Sequence, residues 1–133
     1  MSTIKKTTEE NDLLIKETYQ DIRDTRKTED IGNFCKYLAV DPSLLKEVWT
    51  DVKNVMTKET LIDKKTKEMI YMAVSITNNC SYCTHSHTAS AKKLGMNDEE
   101  HSEFLRIVAL AAKTNQLVNG LQVPVDEIFD ADK

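Results

Sequence analysis

Residues 67–96 read KEMIYMAVSITNNCSYCTHSHTASAKKLGM, and this stretch decides the fold. From Met69 to Ile76 it is apolar almost all round; Asn78 and Asn79 then break the run, and Cys80 and Cys83 open a polar stretch that Leu94 and Gly95 close. Two helices joined by a short turn account for the pattern, with Asn79 as cap of the second and Gly95 as its left-handed terminator. A helix wet on one side is not apolar all round, so the first of the pair is expected to be central or covered by another subunit. No strand-like alternation survives beyond a few residues, although Leu121 to Val125 can be locally extended.

Outward from this pair the chain keeps a helical period. Only three Gly and two Pro occur, and each stands where a helix would start or stop. Asp41 and Pro42 open the cleanest stripe, which carries Leu44, Leu45, Val48, Trp49, Val52 and Met56. Upstream, a first helix is predicted from about Glu9 to Thr25 with Leu13, Leu14, Thr18, Tyr19 and Ile22 on its apolar face, and a shorter second one carries Ile31, Phe34, Cys35, Leu38 and Ala39. The fourth helix is expected to start near Leu61. Asn97 followed by Asp98, Glu99 and Glu100 reads as a capping box for a sixth, running through Phe104, Leu105, Val108, Ala109 and Ala112 towards Val118, with Gly120 beyond it as a cap. The tail 122–133 reads as an irregular arm over the surface. The sum is an all-α fold, a single-domain bundle of about six helices over residues 1–133.

Composition agrees with one soluble domain: 133 residues, of which 40% are hydrophobic and 30% charged, can fill one core and solvate one surface. The 18 Lys and Arg against 22 Asp and Glu give a net charge of -4, and the basic residues are scattered, so nucleic acid is not expected as a partner. Met1 to Glu10 is polar, and no later run approaches about 18 apolar residues. No membrane partner is expected, and a cytoplasmic location is the default.

The chemistry centres on the Cys-x-x-Cys pair. At about 100° per residue, Cys80, Cys83, His87 and Leu94 fall within roughly 60° of arc. They share a face, which Leu94 marks as inward, whereas His85 points elsewhere. A thiol becomes a nucleophile by losing its proton, which a free one does near pH 8.5. Helix-end amides at the first turn favour the thiolate, and on that ground alone Cys80 is the better placed. His87, four residues after Cys83, can take a proton from it or pair with the thiolate. A histidine in that role works better when a carboxylate orients it, and Glu68 lies on the preceding helix in line with Met72, Ser75 and Asn79.

Other readings of these residues stay open at this point. Cys80, Cys83, His85 and His87 can be enlisted as a zinc half-site, although structural zinc usually draws on two separate pieces of chain and no second Cys or His cluster exists; no metal is expected. The pair can also be simple core packing. Thioredoxin-type chemistry belongs after a strand in a βαβ unit, which is absent here. Cys35 reads as a small core residue, His101 as a surface histidine, and Trp49 and the methionines as packing.

The order Glu68, eleven residues, Cys80, Ser81, Tyr82, Cys83, three residues, His87 resembles the core motif of the alkylhydroperoxidase D family, within the carboxymuconolactone decarboxylase-like superfamily. Residues 67–96 resemble that family's core throughout, and DPSLLKEVW (Asp41–Trp49) and TNQLVNGLQVPVD (Thr114–Asp126) resemble its short, single-core branch. The resemblance implies an all-α homo-oligomer, commonly a trimer or hexamer, with a redox core over about residues 61–113. It implies a thiol peroxidase or disulfide reductase in which Cys83 attacks a hydroperoxide, Cys80 resolves the sulfenic acid to a disulfide, and Glu68 with His87 relays protons. No cofactor is implied; the reductant would be an external thiol or a lipoyl-bearing protein. Tyr82 departs from the best-known members, which place a histidine between the cysteines. The superfamily's lactone decarboxylases are a rival enzyme reading, and a zinc-stabilised or purely oligomeric binding module is a non-enzymatic one.

Overall fold

The computed structural model describes residues 1–7 and 10–133, which form six α-helices and, among the described residues, no strand. They fall into two compact units, residues 1–64 and 65–133.

In the first unit, α1 spans Leu13–Arg26, α2 Asn33–Leu38 and α3 Pro42–Met56. The expected start of α1 at Glu9 lies outside the described residues. Asp12 caps α1 by accepting the amides of Leu14 and Ile15, which places Leu13 on the first outward position. Leu13 is consequently exposed, and Ile15, Thr18, Tyr19 and Ile22 form the buried face in place of the stripe expected from Leu13. They pack with Ile31, Cys35, Ala39, Leu45 and Trp49. Asp41 caps α3 and Pro42 occupies its first turn, as the sequence predicts. Across the unit, Asp21 accepts hydrogen bonds from Trp49 Nε1 at 2.7 Å and from Lys53 Nζ at 2.9 Å. Burial raises the Cys35 thiol above its ordinary pKa, so it stays protonated in this core.

In the second unit, α4 spans Lys64–Thr77, α5 Ser81–Lys93 and α6 Asp98–Leu121, followed by a 3₁₀ turn at Glu127–Phe129 in an exposed tail. The fourth helix starts three residues after the expected Leu61, because Leu61 and Ile62 find no buried face and stand exposed in the connection. The core holds Met72, Ala91, Met96 and Phe104, with Met69, Ala73, Ile76 and Val108 against it. Asn97 and Glu100 form the predicted capping box of α6, and Glu100 also pairs with Lys65 of α4 at 2.8 Å.

Three expectations about this unit need correction. Gly120 does not end α6: the helix runs on to Leu121, and Gln122 takes the left-handed position at φ 51°. Its side-chain amide donates to the Asn119 carbonyl at 2.7 Å, and its own and the next backbone amides close the last turn on Asn119 and Val118. Asn79 does not cap α5, because it is used in closing α4 at φ 56°; Cys80 is the cap. Leu94 does not face inward but stands exposed at the end of α5, where the chain is already leaving the helix; the same stripe is buried at Ala91, and Met96 follows it into the core.

Candidate active site

The site is set by how α4 ends and α5 begins. The amide of Asn79 bonds to the Ile76 carbonyl at 3.1 Å and that of Cys80 to the Ser75 carbonyl at 2.9 Å, the two bonds of a Schellman closure with Asn79 in the left-handed region. Asn tolerates this conformation better than most residues. Cys80 then serves a second time, as N-cap of α5, with extended backbone and its sulfur accepting the Cys83 amide at 3.3 Å. One residue thus finishes one helix and starts the next, which brings Glu68 and His87 onto facing turns.

His87 Nδ1 lies 2.6 Å from Glu68 Oε2, with both side chains largely shielded from solvent. An ionised Glu68 accepts, so in a neutral imidazole the proton sits on Nδ1 and Nε2 is left with its lone pair as the basic nitrogen. Tyr71, three residues after Glu68 on α4, stacks on the same imidazole with ring centroids 3.8 Å apart and planes at 24°. Of the four residues singled out from the sequence, the structure therefore joins Glu68 to His87 and Cys80 to Cys83, all within one unit. His85 lies outside this group: it is exposed and donates to the Ser81 carbonyl one turn back. Tyr71 is the residue the sequence reading missed, having counted it as part of the apolar block; the available signal was its position one turn from Glu68.

Charge is distributed unequally over the two thiols. Hydrogen bonds from the Cys83 side chain and from its backbone amide hold Cys80 below the ordinary thiol pKa. Burial, the hydrogen bond to Cys80 and the charge on Cys80 push Cys83 up to about 11. Of the two thiols, Cys80 is therefore the one that ionises first and Cys83 the one that keeps its proton longer. Burial, then Cys83, Cys80 and Glu68 in that order, raise the Tyr71 phenol, which stays protonated. Among the described residues no group of three or more His, Cys, Asp or Glu is arranged to hold a metal ion. No helix among them is long and apolar enough to cross a membrane.

A sequence model of the carboxymuconolactone decarboxylase family matches residues 44–126. Over 43 residues, 32% of the chain, there is 37% identity to a Bacillus subtilis (strain 168) protein known as uncharacterized protein YdfG, a match that spans 29% of that relative's length. The fold is similar to the crystal structure of the alkylhydroperoxidase AhpD core from Rhodospirillum rubrum ATCC 11170, with a TM-score of 0.94 and 46% identity over 97% of both chains.

Proposed function

The chain belongs to the carboxymuconolactone decarboxylase family, and from that premise we propose that it is a thiol-dependent peroxidase that reduces hydroperoxides through Cys83 and Cys80. The observation that carries the reading is the 2.6 Å contact between Glu68 and His87, one turn beyond a cysteine that holds its proton tightly. With a pKa of about 11, Cys83 has on the order of one part in ten thousand as thiolate at neutral pH, so it needs a base beside it to attack. His87, oriented by Glu68, is that base.

Cys83 gives its proton to His87 and its sulfur attacks the terminal oxygen of ROOH. The S–O bond forms as the O–O bond breaks, and the alkoxide takes a proton from His87 and leaves as ROH. Cys80 then attacks the sulfenic sulfur: the S–S bond forms, the S–O bond breaks, and the proton that the Cys80 thiol gives up goes to the departing hydroxide, which leaves as water. The two electrons come from the cysteine pair and are restored by an external dithiol or a lipoyl-bearing protein, which exchanges with the disulfide. No cofactor takes part. The similarity to the alkylhydroperoxidase core supports this chemistry, and intact Cys80 and Cys83 favour it over lactone decarboxylation, which does not use the pair.

The lowered pKa of Cys80 favours a second use of the same pair, as a disulfide reductase in which Cys80 attacks a partner's disulfide and Cys83 resolves the mixed disulfide. As partners we propose further copies of this chain, in a trimer or hexamer, and a cytoplasmic setting; the exposed apolar side chains Ile107, Leu110, Leu117 and Leu121 support self-association.

Consumption of cumene hydroperoxide by the reduced protein with dihydrolipoamide tests the reading, beside Cys83→Ser and Cys80→Ser. Turnover is expected only with both cysteines, with a trapped sulfenic acid or mixed disulfide in Cys80→Ser. Unchanged turnover in Cys83→Ser would overturn it; a disulfide that forms while peroxide persists would leave the reductase.

A further inference from the structure

We infer that Tyr71 is a positioning residue of the proton relay, holding the His87 imidazole in the plane in which it meets Glu68; this rests on His87 acting as the base of the reading above. A histidine ring turns about a broad, roughly two-fold torsion, and one hydrogen bond at Nδ1 leaves it free to pivot about that contact. The Tyr71 ring removes the freedom by covering one face of the imidazole at 3.8 Å with nearly parallel planes. Glu68 and Tyr71 lie three residues apart on α4, so a single helix face supplies both the edge contact and the face contact. The phenol feels both thiols and Glu68, which places it in the field of the same site.

Tyr71 is 38% exposed and contributes nothing to the buried set of Met72, Ala91, Met96 and Phe104, so its replacement leaves that core complete. Its aromatic ring, not its hydroxyl, is the working part: Tyr71→Leu is expected to lose the function and Tyr71→Phe to restore most of it.

The test compares wild-type Tyr71, Tyr71→Phe and Tyr71→Leu in full chains that also carry Cys80→Ser, so that Cys83 is the thiol of the pair. The rate of Cys83 alkylation by iodoacetamide is followed across pH, with cumene hydroperoxide consumption measured in the same three chains with Cys80 intact. Tyr71→Leu is expected to slow both rates about tenfold near neutral pH, with most of the loss recovered in Tyr71→Phe and the difference fading at high pH, where Cys83 ionises without a base. The His87 Hε1 proton resonance, shifted upfield by the stacked ring, is expected to move downfield in Tyr71→Leu alone. Equal alkylation rates in Leu and Phe chains, or an unmoved His87 resonance, would overturn the inference. If Tyr71→Leu fails to fold, Tyr71→Met replaces it. A wild-type chain that consumes no peroxide, yet alkylates Cys83 with this dependence on Tyr71, defeats the peroxidase reading and upholds the positioning role.

Discussion

Glu68 and His87 stand nineteen residues apart on consecutive helices, and their side chains meet at 2.6 Å between Oε2 and Nδ1. An amide at position 68 can still present an oxygen to Nδ1–H, but it carries no charge to stabilise the imidazolium that the proposed transfer from Cys83 to His87 would form. Glu68→Gln is therefore expected to lower peroxide consumption about a hundredfold with little change in thermal stability, read by stopped-flow assay and a melting curve. A rate within twofold of wild type would remove Glu68 from the relay.

The unequal thiols predict an order of modification. Cys80 is held below and Cys83 pushed above the ordinary thiol value, to about 11. The reactive fraction of each grows as pH rises towards its pKa, so iodoacetamide at neutral pH is expected to label Cys80 first. Labelling of Cys83 is expected to rise with pH and overtake only in strongly alkaline solution. Peptide mass mapping of briefly treated, reduced protein reads the order directly, and prior labelling of Cys83 would reverse the charge assignment.

Cys80 also has a purely structural duty, as the side chain that accepts the Cys83 amide at the start of α5. Serine keeps an acceptor there and alanine does not. Reduced Cys80→Ala is expected to be less stable than reduced Cys80→Ser by about 1 kcal/mol, measured by chemical denaturation, while both lose the disulfide. Equal stability would show that the sulfur does not cap.

In the first unit, Asp21 bonded to Lys53 and Trp49 keeps its carboxyl below the ordinary 3.8. A carboxyl group lowered by folding stabilises the fold fully above its unfolded-state value, and that contribution is lost as pH falls through the folded-state value. Asp21→Asn is thus expected to melt a few degrees below wild type at neutral pH, for a loss of about 1 kcal/mol given its partial exposure. The gap is expected to narrow from pH 3.8 downwards. A gap unchanged in acid would assign the loss to packing.

The helices were legible because their signals are local: Asp41 with Pro42 starts α3, Asn97 with Glu100 starts α6, and the apolar stripes between recur with the helical period. Their ends were harder to read. Sequence points to glycine for a left-handed close, and Gly95 obliges at φ 103°, but Lys27, Asn79 and Gln122 do the same work at φ 51–56°. There the backbone bonds of the closing turn offset a cost of about 1–2 kcal/mol for a side chain in that region. For the candidate site, the cysteines and His87 share one helix, so spacing alone puts them on one face, and Glu68 is one short turn away. Tyr71 was passed over, because hydropathy counts a tyrosine in an apolar run as core; its position one turn from Glu68 was the sequence signal, and the packing of α4 against α5 reveals the ring it covers.

On α6, Ile107, Leu110, Leu117 and Leu121 are each more than half exposed. Water penalises that surface by roughly 25 cal/mol per Å², so copies that meet on it gain in proportion to how many are present. On the proposed self-association, stability would not belong to the single chain: by mass action the melting temperature is expected to climb with protein concentration and fall on dilution. A dilution series weighs that helix face without altering a residue, and any comparison of variants is sound only at matched concentration.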